Sequence, residues 1–284
     1  MVPYRKGSEA AHVQLVPVQP LLSVSSPSAS CIVYPNPPCL TRCLPHLLTA
    51  GHVPDTITGM TDSGKRPLQS EEHFISALTR AEERLVARLE TPHRIQLFLD
   101  GLAYGTKTIY RSPLRVLRES ACQCFDGAVF AAAMLHRIGH PALILNLLPN
   151  NRDDDHVLAL FRQNGYWGAL AKSNFSGLRF REPIYRSLRE LVMTYFEHYY
   201  NIHGEKTLRG YTRPLDLQGF NPRQWMTRDE TMELIAERLD RVRRFSLLTR
   251  PMVRQLSPVD ERSIRAGLFG ANMAGLSSPA RKKG

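Results

Sequence analysis

Cys124-Phe125-Asp126-Gly127-Ala128-Val129-Phe130-Ala131-Ala132-Ala133-Met134-Leu135-His136-Arg137-Ile138-Gly139 reads as one helix and its stop. Phe125, Val129, Ala132 and Leu135 recur at helical spacing and give it an apolar stripe. Gly139 fits the left-handed position that closes a helix. The period then changes. Ala142 to Leu148 is a nearly continuous apolar run, the pattern of a buried strand, and Val157 to Phe161 is another. Asn164-Gly165 is a strong hairpin signal, with Tyr166 to Ala171 as the return strand. Helix, strand, strand, tight turn, strand is the expected central unit.

Upstream of this unit, Phe74, Leu78, Ala81, Leu85, Val86 and Leu89 predict a helix from Ser70 that Pro92 ends. A second helix is expected over Arg94 to Ala103, and a third from Ser112-Pro113 to Glu119, with serine as cap and proline in the first turn. Downstream, Ser187 with Glu190 and Thr227 with Glu230 have capping-box spacing, predicting helices to about Asn201 and Arg244. Ile202 to Trp225, with its Gly, Pro and polar residues, is expected to be irregular but packed. The fold class expected is α+β: helices packed on a small antiparallel sheet.

Composition bounds the rest. Of the 284 residues 43% are hydrophobic, enough for a sizeable core. Residues 1–59 are Pro- and Ser-rich in patches and lack a sustained period, so they read as a disordered leader. Translation is expected to start at Met60, which N-terminal sequencing of the native product tests. The domain is expected over 60–245, with a helical or flexible tail over 246–284 that frays from Ser277. No apolar run is long enough to span a membrane, and Pro17, Pro20 and Pro27 interrupt any secretory signal. The expected location is therefore cytoplasmic. Five cysteines without CxxC or zinc spacing predict neither a disulfide framework nor a metal. His198 and His203 also lack ligand-type partners at helical spacing. The formal charge of +11 allows polyanion binding, but no nucleic-acid signature accompanies it.

Cys124 stands where a helix begins. A thiol there feels the positive end of the helix dipole, which favours thiolate, the nucleophilic form. Free N–H groups of the first turn can also hold an oxyanion. Set against this, a cysteine beside Phe125 and Ala128 can be a small buried hydrophobe. His156 opens the second strand after Asp153-Asp154-Asp155. Alternation puts His156, Leu158 and Leu160 on one face and Val157, Ala159 and Phe161 on the other. A Cys–His pair is the minimum equipment for acyl transfer. The competing reading is a surface histidine beside an acidic run.

The order Cys124-x-x-x-Ala128, Leu135-x-x-x-Gly139, Pro141, His156-Val157-Leu158 and Trp167 resembles the signature of transglutaminase-like proteins of bacterial type. The match spans Ala121 to Phe175. The resemblance implies a transglutaminase-like (papain-like) core, with Cys124 as nucleophile and His156 as base. It implies no cofactor, and a protein, peptide or small amide as substrate. The family's third residue, an aspartate four positions after the tryptophan, falls here on Ala171. Asn174 is the leading substitute as orienter of the histidine, with Ser173, Asp154 and Asp155 as alternatives.

Trp167, Ser173, Arg179 and Arg181 are the candidates for substrate contact. The two arginines could bind a carboxylate or phosphate, or pair internally with Glu182 or Asp153–Asp155. Cys122 reads as an ordinary small residue or a resolving thiol. The aromatic cluster Tyr195, Phe196, Tyr199 and Tyr200 reads as core. Two functions compete: a cysteine-dependent acyl-transfer enzyme, and a catalytically inactive binding module on the same fold.

Overall fold

A computed structural model describes residues 69–107 and 109–276. The expected leader over 1–59 with Cys31, Cys39 and Cys43, the start at Met60 and the tail 277–284 lie outside the described residues.

The chain enters through α1 (Gln69–Ser76), α2 (Arg80–Ala87) and α3 (Pro92–Gly101). One helix was expected over the first two. It breaks because Thr79 and Glu82 form a capping box: the Thr79 hydroxyl accepts from Glu82 N–H at 3.3 Å, and the Glu82 carboxylate from Thr79 N–H at 2.7 Å. A short parallel pair, β1 (Ala103–Tyr104) and β2 (Ala121–Cys122), brackets α4 (Pro113–Glu119). Ser120, left-handed at φ 50°, ends α4 and turns the chain through β2 into α5 (Cys124–Arg137). Gly139, at φ 95°, closes the turn after α5.

The main sheet has seven strands: β3 (Leu143–Pro149), β4 (His156–Gln163), β5 (Tyr166–Leu170), β6 (Arg181–Tyr185), β7 (Leu208–Thr212), β8 (Leu215–Asp216) and β9 (Arg244–Ser246). The order is β6-β5-β4-β3-β7-β9, β8 also pairs with β3, and all neighbours are antiparallel. Asn164 and Gly165, at φ 51° and 84°, make the β4–β5 hairpin turn. The architecture is α+β, as expected, but the sheet is larger. Within 202–225, expected to be irregular, β7 and β8 form. These strands are short and mixed in polarity, so period 2 does not show in them.

Two expected helices also come out shorter. α6 spans Leu188–Met193, and α7 spans Glu230–Arg241. At Ser187 the hydroxyl accepts from Glu190 N–H, but the Glu190 carboxylate takes Arg186 N–H instead of closing the box. Thr227 donates its hydroxyl to Gln224 and does not cap α7. Past residue 245, where the domain was expected to end, packing continues. Leu247 is buried, α8 (Arg250–Arg254) and α9 (Glu261–Gly267) follow, and the Tyr200 hydroxyl donates to Ser263 O at 2.8 Å.

The sheet separates two cores. Val157, Ala159 and Phe161 face α5, and Leu158 and Leu160 face α6 and the aromatic cluster. α5 is buried from Phe125 to Leu135 because α3, α4 and the sheet cover it. Each fully buried Val129, Phe130, Met134 or Leu135 contributes about 1.5–3 kcal/mol. Gly127 sets how closely α5 approaches the chain after β5: a Cβ there would lie 2.7 Å from Lys172 Cβ. Lys172 is itself buried and donates to the carbonyls of Leu99, at 2.8 Å, and Leu102, at the end of α3. Among the described residues no helix is long and apolar enough to cross a membrane.

Candidate functional site

Where α5 begins, a cleft of about 580 Å³ opens, and both Cys124 and His156 line it. The start of α5 is fixed from below by charge. Asp126, in the first turn, accepts from Gln123 N–H at 3.3 Å and from Arg111 N–H at 3.1 Å, and pairs with the Arg111 guanidinium at 3.2 Å. Those two side chains are 1% and 4% exposed. A carboxylate in the first helical turn also suits the helix dipole.

The Cys124 thiol donates to Asp155 O at 3.8 Å, and the N–H groups of Val157 and Phe125 point at the sulfur. Asp155 and Val157 are the chain neighbours of His156. The sulfur therefore sits against the strand residue that carries the imidazole. Burial, reinforced by the Asp155 carboxylate, pushes the thiol up to about 12, against the two N–H groups. The helix start does not yield the resting thiolate that position alone suggested.

His156 is 5% exposed. Its Nε2 lies 2.8 Å from the Leu178 carbonyl. A carbonyl only accepts, so Nε2 carries the proton and Nδ1 is the basic nitrogen. Burial pulls the imidazole down to about 4, while the Leu178 carbonyl and Asp155 work the other way. Both shifts favour the neutral form, thiol on one side and imidazole on the other.

The loop that offers the Leu178 carbonyl is clamped. Arg181 donates to Gly177 O at 2.7 Å and to Thr194 Oγ1 at 2.8 Å, and its guanidinium stacks 4.0 Å over the Tyr195 ring. The Tyr195 hydroxyl donates to Arg179 O at 2.9 Å. Tyr199 packs edge-on to His156 and donates to Asp154 O at 2.7 Å. The aromatic cluster read as core thus also steadies the imidazole.

The candidates divide. Ser173 and Asn174 line the cleft with Cys124 and His156. The Asn174 carboxamide is bound to Asn272, and the acceptor on His156 is a main-chain carbonyl, so Asn174 is not its orienter here. Ser173 Oγ accepts from Phe175 N–H at 3.0 Å. Trp167 lies up the hairpin with Arg162 stacked 5.0 Å over its ring, outside the cleft lining. Arg179 pairs with Asp100 at 3.3 Å, and Arg181 is used up in the clamp, so neither reaches the cleft. Ala171, at the family's aspartate position, is fully buried. Its N–H and C=O are both held by the Gln96 carboxamide, at 3.1 and 2.9 Å.

Reading the sequence missed the acceptor on His156, because a carbonyl belongs to every residue and leaves no signature. It also missed Asn146, whose carboxamide donates to the Asp155 carboxylate at 2.6 Å. A lone asparagine inside the apolar run Leu143–Leu148 was the available signal. Tyr104, Gln123 and Tyr199 also line the cleft. So do Asp153, Asp154, Asp155 and Asp240, on a chain of formal charge +11. Among the described residues no Lys or Arg lines the cleft. Cys122 is buried and, like Cys124, free. Among the described residues no group of His, Cys, Asp or Glu is placed to hold a metal ion.

No family model matches the chain, and no curated protein matches it. Among solved structures it is similar to Legionella pneumophila LapG, at 15% identity over 37% of this chain and 71% of that one, with a TM-score of 0.28. The EGTA-treated form of LapG gives 14%, 37%, 68% and 0.28. A likeness at that level carries no argument for this chain's chemistry.

Proposed function

We propose that this chain is a cysteine-dependent acyl-transfer enzyme with a transglutaminase-like core, acting on an amide or ester bond of a protein, peptide or small amide. The reading rests on Cys124 and His156 lining one cleft, with the Cys124 sulfur 3.8 Å from the carbonyl of Asp155, the residue before His156, and on the Nε2 contact of His156 with the Leu178 carbonyl at 2.8 Å, which leaves Nδ1 as the basic nitrogen.

With both groups neutral at rest, the imidazole takes the thiol proton as the sulfur attacks the carbonyl carbon. The Leu178 carbonyl stabilises the imidazolium so formed, in the place of the missing aspartate. First-turn N–H groups of α5 hold the oxyanion. The imidazolium then protonates the leaving amine or alkoxide, giving an acyl-thioester on Cys124. Water or an amine resolves it, and the resolving group decides between hydrolysis and transfer.

The test is a small activated ester with mass analysis of the intact protein. An acyl group on Cys124 is expected. Cys124→Ala should abolish it, and His156→Ala should slow it by about 10²–10⁴-fold. An acyl signal that survives Cys124→Ala overturns the proposal. The inactive binding module is favoured by one observation, Ala171 at the position where the resemblance implies an aspartate, and it predicts no acylation.

A further inference from the structure

The segment Asn272–Leu276 is tied down along the mouth of the cleft. The Asn174 carboxamide binds both main-chain groups of one residue. Its Nδ2 donates to Asn272 O at 3.1 Å, and its Oδ1 accepts from Asn272 N–H at 2.9 Å. Asn272 Nδ2 reaches across to Tyr104 O at 3.1 Å. Gly275 then lies against the Tyr104 ring, where a Cβ would come within 2.7 Å of Cδ1 and 3.2 Å of Asn174 Nδ2. Gly275 and Leu276 line the same cleft as Cys124 and His156.

A carboxamide that reads the N–H and C=O of one residue ignores side-chain identity. It recognises polypeptide main chain. The opposite wall, the Tyr104 ring, leaves room for glycine and for nothing larger at its contact. The two together make a peptide-binding place built from residues 98 and 168 positions away from Asn272 in sequence.

We propose that Asn174 and Tyr104 form a peptide-binding subsite of the cleft, which the chain's own Asn272–Leu276 strap fills at rest, so that a polypeptide substrate must displace the strap. The substrate class is a peptide presenting one free main-chain N–H and C=O pair, with glycine three residues on. This deepens the acyl-transfer reading and rests on it for the word substrate. The occupancy itself does not.

The experiment follows alkylation of Cys124 by iodoacetamide in the full chain, read by peptide mass analysis with buried Cys122 as internal reference. Asn272→Pro removes the N–H that Asn174 accepts, at a backbone φ of −78° that proline tolerates. Gly275→Leu drives a side chain into Tyr104. Each is expected to raise the rate about tenfold, the worth of one or two hydrogen bonds. A capped peptide of residues 270–276, added at millimolar concentration, should restore the slow rate, and the same peptide with leucine in place of its second glycine should not. Asn174→Ala should alkylate fast with or without the peptide. Wild-type rates in both strap variants, or protection that ignores Asn174, overturn the proposal. Alkylation needs a reachable sulfur and its ionisation, supplied for all variants by one alkaline buffer, and no turnover of a substrate. An enzyme that fails to turn over peptides leaves this result intact, and failure here leaves the Cys124–His156 chemistry untouched.

Discussion

The carbonyl oxygen of Leu178 lies 2.8 Å from Nε2 of His156 and fixes the tautomer of the ring. In ¹⁵N-edited spectra at neutral pH, His156 should therefore show a protonated Nε2 and a pyridine-like Nδ1. A spectrum with the proton on Nδ1 would contradict a hydrogen bond from Nε2 to that carbonyl.

Buried imidazole also makes the fold sensitive to acid. The folded ring titrates at about 4, against 6.5 unfolded. Between these values the unfolded chain binds a proton that the fold refuses, so stability rises with pH across that window and is complete above it. Going down from 6.5 to 4 the loss is about 3 kcal/mol. Urea midpoints from pH 4 to 7 measure it, and His156→Gln should flatten that part of the curve. Parallel curves for the two proteins would contradict burial of a neutral ring.

Arg111→Met should be among the most damaging single changes. It strands the Asp126 carboxylate, 1% exposed, at the first turn of α5. Breaking one side of such a pair costs about 3–5 kcal/mol. The double variant Arg111→Met with Asp126→Leu should regain much of that. A single variant within 1 kcal/mol of wild type, by roughly the spread of ordinary surface changes, would remove the pair from the account.

Gly127→Ala sets two effects against each other. Alanine gains about 1 kcal/mol in helix propensity, but a Cβ 2.7 Å from Lys172 Cβ costs about 1–3 kcal/mol in overpacking. The overpacking wins, with a net loss of up to about 2 kcal/mol. Ester acylation of Cys124 should fall as well, because α5 is pushed off the strand that carries His156. A melting curve and the acylation rate, measured on one preparation, check both.

The central unit was legible because its signals are local and redundant. The apolar stripe of α5, the Asn164-Gly165 turn and the continuous runs on either side agree with one another. The outer strands were not legible. β7, β8 and β9 take their pairing from partners far along the chain, and nothing in five mixed-polarity residues announces that. The site was legible by half. Cys124 and His156 have chemistry in their side chains. The acceptor at Leu178 and the strap at Asn272 act largely through main chain, which no residue type advertises. Arg179 and Arg181 were misleading because a guanidinium satisfies a crowded loop as readily as it binds a ligand.

The sheet ends in β6 on one side and β9 on the other. Pro183, in the middle of β6, offers no N–H to an incoming strand, and β9 is three residues long. Neither border gives a foreign strand a continuous ladder to zip onto. Fibres grow when an extended chain adds to the edge of a sheet, and both borders of this one resist that kind of growth.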